Sequence, residues 1–169
     1  MLWPRASVWP KRRPERHGRA ERSDHGMAAE TILLEIVTPV RLMRSESVHL
    51  AVLPGESGNL GVLPRHAPLL SSLRPGTIDI HDERMKVVDQ IFVEQGFVDV
   101  IPERCTVLAE VAIPMKDISR DYAEERLKRA TDALMVAETF GARQGAEREL
   151  RAAEAMTAAV DEYQKRQQG

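Results

Sequence analysis

Residues 54–76 read PGESGNLGVLPRHAPLLSSLRPG, with Gly55, Gly58, Gly61 and Gly76 interleaved with Pro54, Pro64, Pro68 and Pro75 between short apolar pieces. Each X-Pro step biases the preceding residue toward extended backbone, and each glycine reaches conformations closed to other residues. A long helix is excluded here, and the chain must reverse direction repeatedly in a small space. Short strands joined by tight turns are what this stretch admits.

The flanks carry β patterns of the same length. Residues 31–37 (TILLEIV) mix alternation with β-branched side chains and stop at Thr38-Pro39. Residues 48–53 form the next strand, in which His49 is expected to face solvent. Further strands are predicted at 77–81, at 85–88 and 90–93 after a polar turn at Asp82-Glu83, and at 97–101 and 105–111 around a Pro102-Glu103-Arg104 hairpin connection. Many short strands with closely spaced turns indicate an antiparallel sandwich over 29–114 rather than βαβ units.

At Pro114 the period changes. Ser119 is placed to cap a helix with Asp121 in its first turn. Leu127, Ala130, Leu134 and Ala137 then form an amphipathic stripe, and Gly141 to Gly145 is expected to break it. A second stripe of Ala146, Leu150, Ala153, Met156, Val160 and Tyr163 predicts that 117–169 folds as an antiparallel helical hairpin. Alanine-rich seams bury little apolar area, so the hairpin is expected to be detachable.

Composition narrows the function classes. The chain has 169 residues, room for one ordinary domain with an appendage, and only 4% aromatics, so its core must be aliphatic. A formal net charge of −2 argues against a nucleic-acid binder. The single cysteine, Cys105, lies in an apolar strand pattern and reads as a small buried hydrophobe. No apolar run approaches the roughly 18 residues of a spanning helix, so any membrane role is indirect. Residues 1–26 hold seven Lys or Arg, three acids and three prolines, and read as a disordered extension upstream of a start at Met27.

Chemistry is hard to find. The glycines of 55–61 are followed by Val62-Leu63-Pro64 rather than the Lys-Ser/Thr of a phosphate-binding loop. His66 beside Arg65 has no nucleophile near it in sequence and reads as a hydrogen-bonded loop histidine. Asp79, Asp82 and Glu83 read as a solvated turn. No catalytic residue, metal site or cofactor is expected.

The run G-x-x-G-x-L-G-x-L-P-x-H-A-P-L-L from Gly55 to Leu70, followed by Leu73-Arg74-Pro75-Gly76, closely resembles the ε subunit of bacterial F-type ATP synthases. A second block, Gln95-Gly96-Phe97-Val98-Asp99-Val100 and then Thr106-Val107-Leu108-Ala109-Glu110, is similar to a hairpin of the same family. The resemblance implies about ten strands, a non-catalytic rotor subunit docked on γ and the c ring, and a place at the cytoplasmic side of the bacterial inner membrane. The wording of residues 63–68 favours the bacterial family over its mitochondrial δ counterpart.

The resemblance also implies site residues. The turn region of Gly58, Asn59, Leu60, Gly61 and His66 would face the c ring, although some relatives carry an acid where Asn59 stands. Arg126, Lys128, Arg129, Arg143, Arg148 and Arg151 are the candidates for inhibitory contacts with the α and β subunits. Acids and bases are nearly equal in number on these helices, which is also what a solvated pair shows. The ATP-binding motif of some relatives is not kept: Tyr122-Ala123-Glu124-Glu125-Arg126-Leu127 has Ala123 for its aspartate and Leu127 for its small alanine, so ATP binding is not expected. A different class, a small ligand- or nucleotide-sensing sandwich outside the synthase, would show a deep polar pocket.

Overall fold

A computed structural model describes residues 31–168, so the expectations for residues 1–26 and for a start at Met27 lie outside the described residues. Ten strands come first: β1 (Ile32–Val37), β2 (Leu42–Val48), β3 (Leu50–Gly55), β4 (Gly58–Val62), β5 (Leu69–Leu73), β6 (Gly76–His81), β7 (Val87–Val93), β8 (Gly96–Ile101), β9 (Arg104–Ala109) and β10 (Ala112–Pro114). A 3₁₀ turn (Met115–Asp117) then leads into α1 (Arg120–Met135) and α2 (Phe140–Gln167).

The sheet is continuous in the order β10-β7-β6-β3-β5-β8-β9-β1-β2, with β4 paired to β3 off this path. It folds over at β3–β5, where the ladder shrinks to the single pair Gly55↔Leu73. The two leaves are thus β10-β7-β6-β3-β4 and β5-β8-β9-β1-β2. Backbone bonds from Glu56 N to Ser72 O (3.0 Å) and from Arg74 N to Pro54 O (3.0 Å) pin this corner. Gly55 is required there, because a Cβ would lie 2.7 Å from Gly58 O.

The alternation seen in the sequence becomes the core. Ile32, Leu34 and Ile36 of β1, Ile78 and Ile80 of β6, Val98 and Val100 of β8, and Cys105 and Val107 of β9 point between the leaves. Burial pushes the Cys105 thiol up to about 12, with the Asp99 charge adding to it, so it is inert at neutral pH.

Four local expectations are corrected. Strand β2 escapes a reading by hydrophobic pattern because LMRSESV is an edge strand with only Val48 fully buried. His49 is the single, half-buried residue between β2 and β3 rather than a strand residue facing solvent. The pieces at 85–88 and 90–93 are one strand, β7, preceded by a turn in which Asp82 Oδ1 accepts from Arg84 N (2.8 Å) and Lys86 N (2.9 Å). Gly141 and Gly145 do not break the helices: the break falls at 136–139, and Thr139 Oγ1 caps α2 by accepting from Ala142 N (3.2 Å). The cap and the docking of α2 outweigh the intrinsic cost of two helical glycines, about 1 kcal/mol each.

The helices lie on the outer face of one leaf. Phe92 of β7 points away from the sandwich core, yet it is fully buried with Met115, Ile118, Ala123, Met156 and Val160. Strand β7 is therefore buried on both faces from Gln90 to Val93.

Two glycines separate backbone approach from open space. A Cβ on Gly96 would stand 2.0 Å from Leu108 O, whereas one on Gly145 meets nothing within 4 Å. Gly96→Ala is expected to lose about 2–3 kcal/mol as β8 and β9 are forced apart. Gly145→Ala is expected to gain about 0.5–1 kcal/mol. Thermal unfolding should shift in opposite directions for the two variants.

Candidate functional site

The glycine stretch folds into an exposed hairpin on a free edge. In β3–β4, Gly55 opposes Gly58, Asn59 opposes Pro54, Leu60 opposes Leu53 and Gly61 opposes Val52. Gly58 has φ +133°, a conformation open to glycine alone at this tip. Among the described residues β4 pairs only with β3, and Gly58, Asn59 and Gly61 are exposed along it. Asn59 Oδ1 accepts from Arg74 Nη2 at 2.9 Å, which ties the tip to the β5–β6 turn.

His66 does not join that tip. It follows the other end of β4, in a turn where Arg65 takes φ 62°, Arg65 N bonds Pro102 O (3.0 Å) and His66 N bonds Leu63 O (3.1 Å). Its Nδ1 lies 2.7 Å from Ala67 O and carries the proton, since a carbonyl only accepts. The four residues of β4 that follow Gly58 lie between it and this turn. That spacing is roughly 13 Å at strand rise. Four of the five candidate ring contacts thus lie along the free edge of β4, and His66 lies beyond its far end in a turn bonded to the β8–β9 connection.

The hairpin candidates divide as well. Lys128 and Arg129 are exposed on α1, and Arg143 pairs with Glu147 at 3.5 Å. Arg148 and Arg151 are exposed on α2 and line, with Arg74, Glu56 and Gln95, an open groove of about 590 Å³. Arg126 is different. It occupies the buried face of α1, between Ala123 and Ala130, and is the one buried cation among the described residues. Its Nε and Nη2 donate to Glu149 Oε1 (2.8 Å) and Oε2 (3.0 Å) on α2, while Nη1 donates to Glu94 Oε1 (2.6 Å) after β7. A groove of about 490 Å³ lies beside it, lined by Tyr122, Arg129 and Val111 among others.

The fork to Glu149, and then the bond to Glu94, raises the Arg126 value above the ordinary guanidinium range. Hydrogen bonding from Arg126 holds Glu149 below the ordinary carboxylate range. Two longer bridges join the same pieces: Arg120 to Asp161 across the helices and Arg166 to Asp79 on β6, both 3.4 Å. Asp79 also accepts from Gln90 Nε2 at 2.7 Å, so it belongs to this seam and not to a solvated acidic turn.

Two features went unread in the sequence. Outward-facing Phe97, Leu108, Val37 and Leu42 stand in register across β8, β9, β1 and β2, as an apolar row. Phe97 is 56% and Leu108 51% exposed. The hairpin tip also presents Met135, Val136 and Phe140 to solvent. Apolar residues at outward strand positions and in a helix connection were the available signals.

Among the described residues no group of three His, Cys, Asp or Glu side chains is placed to hold a metal. No helix among them is long and apolar enough to cross a membrane. A rigid sandwich with an exposed glycine edge, an apolar row and a clasped helical arm has the features of a docking subunit.

Residues 31–115 match the family described as ATP synthase, Delta/Epsilon chain, beta-sandwich domain. The chain is 46% identical over 132 residues to an ATP synthase epsilon chain of Paramagnetospirillum magneticum, covering 78% of this chain and 98% of that one. Its fold resembles a chain in the Euglena gracilis mitochondrial ATP synthase structure of OSCP, F1 and c-ring (TM-score 0.67, 21% identity, 94% and 99% covered). It also resembles a chain in the Tetrahymena thermophila mitochondrial ATP synthase central stalk and c-ring structure (TM-score 0.59, 14% identity, 78% and 97% covered). The chain belongs to the ATP synthase epsilon-chain family, whose members are subunits of a membrane-associated complex.

Because the folded-state value of Glu149 lies below its unfolded one, its contribution to hairpin docking is complete above about pH 5 and is lost as the pH falls through the folded value. Thermal melts should be flat from neutral pH to about 5 and fall below about 4, with a shallower fall in Glu149→Gln. An equally steep fall in the variant would show that other carboxylates carry the acid sensitivity.

Proposed function

We propose that this chain is a non-catalytic rotor subunit of an F-type ATP synthase, in which the sandwich joins γ to the c ring and the hairpin restrains ATP hydrolysis. Supporting it is the free β4 edge with Gly58, Asn59 and Gly61 exposed, backed by two leaves whose hydrogen bonds and aliphatic core must fail together under shear. The relatives of like fold come from assemblies named for the central stalk and c-ring. Asn59 and Leu60, on the free edge, are the proposed ring contacts with Gly58, Gly61 and His66.

The apolar row of Phe97, Leu108, Val37 and Leu42 is the proposed seat for γ. The hairpin covers the opposite leaf and leaves this one open. Lys128, Arg129, Arg143, Arg148 and Arg151, exposed on the helices, are the proposed contacts with α and β. In a bacterial host the complex places the chain at the cytoplasmic side of the inner membrane, held there by its partners. No cofactor is required, and ATP is not assigned to the hairpin because Ala123 and Leu127 replace the motif residues. A ligand-sensing sandwich is not favoured, since packed aliphatic side chains fill the space between the leaves.

Tagged chain should co-purify with α, β and γ, and Phe97→Asp should weaken that capture by more than about tenfold while the exposed position leaves the monomer folded. Recovery of γ at the wild-type level would remove the apolar row from the interface. Deleting residues 119–169 uncovers Phe92, at a cost of about 2–3 kcal/mol, but leaves the separate core between the leaves intact. Assembly and proton-coupled synthesis are expected to survive that deletion. Failure of the truncated enzyme to assemble would contradict the division of labour.

A further inference from the structure

We propose that the groove between the β5–β6 turn and α2 is a binding site for a phosphate group, held by Arg74 on one wall and by Arg148 and Arg151 on the other. This goes beyond the rotor reading and does not rest on it. The groove has a volume of about 590 Å³, within the roughly 300–1,000 Å³ that small-molecule sites occupy. Glu56, Leu73, Pro75 and Gln95 complete its lining. None of residues 122–127 belongs to it, so it lies apart from the stretch compared above with the ATP-binding motif of some relatives.

The charge in this groove is uncompensated. On the same helices Arg120, Arg126, Arg143 and Arg166 each have a carboxylate partner. Arg148 and Arg151 have no hydrogen bond or ion pair among the described residues. Arg74 donates only to neutral acceptors, Asn59 Oδ1 at 2.9 Å and Pro75 O at 3.4 Å. Glu56 is the one carboxylate that lines the groove with these three guanidinium groups. Arg148 also borders a smaller groove of about 170 Å³ with Glu94, Glu110 and Glu149, of which Glu94 and Glu149 are bound by Arg126. Like charges along one groove repel each other, and an anion placed between them turns that repulsion into attraction.

A single carboxylate does not need such a site, since in this chain one guanidinium satisfies Glu149 with a single fork. Guanidinium groups on two walls match a phosphate group, whose oxygens accept in several directions and whose geometry suits planar arginine forks. Arg148 and Arg151, three residues apart on α2, share one face of the helix, and Arg74 approaches from the sheet. Leu73 and Pro75 add apolar lining for whatever the phosphate is attached to. Such a group comes from two sources, an ion free in solution and the headgroup of an anionic phospholipid, and the site is for the chemistry they share.

The test uses the full chain and two probes, inorganic pyrophosphate and vesicles of phosphatidylglycerol with phosphatidylcholine. Pyrophosphate is titrated while backbone amide signals of the β5–β6 turn and of residues 145–152 are followed by NMR, and vesicle capture is read by sedimentation. Arg148→Gln with Arg151→Gln removes two exposed charges that hold no partner, so the fold is kept, and should weaken binding roughly tenfold or more. Arg74→Gln, on the other wall, should weaken it roughly fivefold or more. Arg84→Gln with Lys86→Gln, an equal loss of charge in the exposed turn before β7, should change it by less than about twofold. Saturable pyrophosphate binding with this pattern of losses assigns the groove to a free phosphate. Capture by phosphatidylglycerol vesicles alone, lost in the same groove variants, assigns it to a lipid headgroup. Binding to neither probe, or a loss in the turn variant equal to that in the groove variants, would overturn the site.

Discussion

Among the described residues Phe92 is the largest fully buried side chain, and it faces away from the core of the sandwich that carries it. Its ring, on the outer face of β7, is covered by Met115, Ile118 and Ala123 together with Met156 and Val160 of α2. Met156 and Val160, four residues apart on α2, fall on the one helix face that reaches this leaf. The ion triad at Arg126 sits beside this contact and sets the angle at which it is made. Apolar burial supplies the attraction, and the guanidinium supplies the geometry.

The sandwich obeys a separate constraint. Its two leaves are one sheet that turns over where β3 meets β5, and the corner works because Gly55 and Gly96 let backbone approach backbone. The same glycine-rich stretch continues into the β3–β4 hairpin and leaves β4 as an edge without charged side chains. Natural edges are commonly blunted by charge or proline, so an uncharged exposed edge is consistent with a surface meant to be met by a neighbour. Rigid leaves behind a contact line are what a subunit on a rotating shaft requires.

Much of this was legible in the sequence, for identifiable reasons. Alternation at 31–37 and 77–81 reports one buried face per strand, and the stripe from Ala146 to Tyr163 contains four of the five buried α2 residues, Ala146, Ala153, Met156 and Val160, and lacks Ala152. What escaped had mixed or doubled signals. Strand β2 buries too little to show a pattern. Ile91-Phe92-Val93, three apolar residues without a polar interruption, signalled a strand covered on both faces, but that follows only once the hairpin is placed over it. Arg126, at the stripe position between Ala123 and Ala130, looked like one more basic residue on a solvated helix. Its role depends on Glu94, 32 residues earlier, and on Glu149, 23 residues later. The family resemblance groups His66 with the glycine tip, and the extended β4 strand places it beyond the far end of that edge.

The central claim is that the sandwich is the fixed, gripped body and the helical hairpin the movable one. Cryo-electron microscopy of a complete ATP synthase containing this chain, sorted by rotational state and nucleotide condition, tests it most directly. The account expects the sandwich in one position in every class, with the Gly58 to Gly61 edge toward the ring and the Phe97 row against γ. A sandwich whose glycine edge faces bulk solvent, or one that changes its position against γ from class to class, would contradict the account.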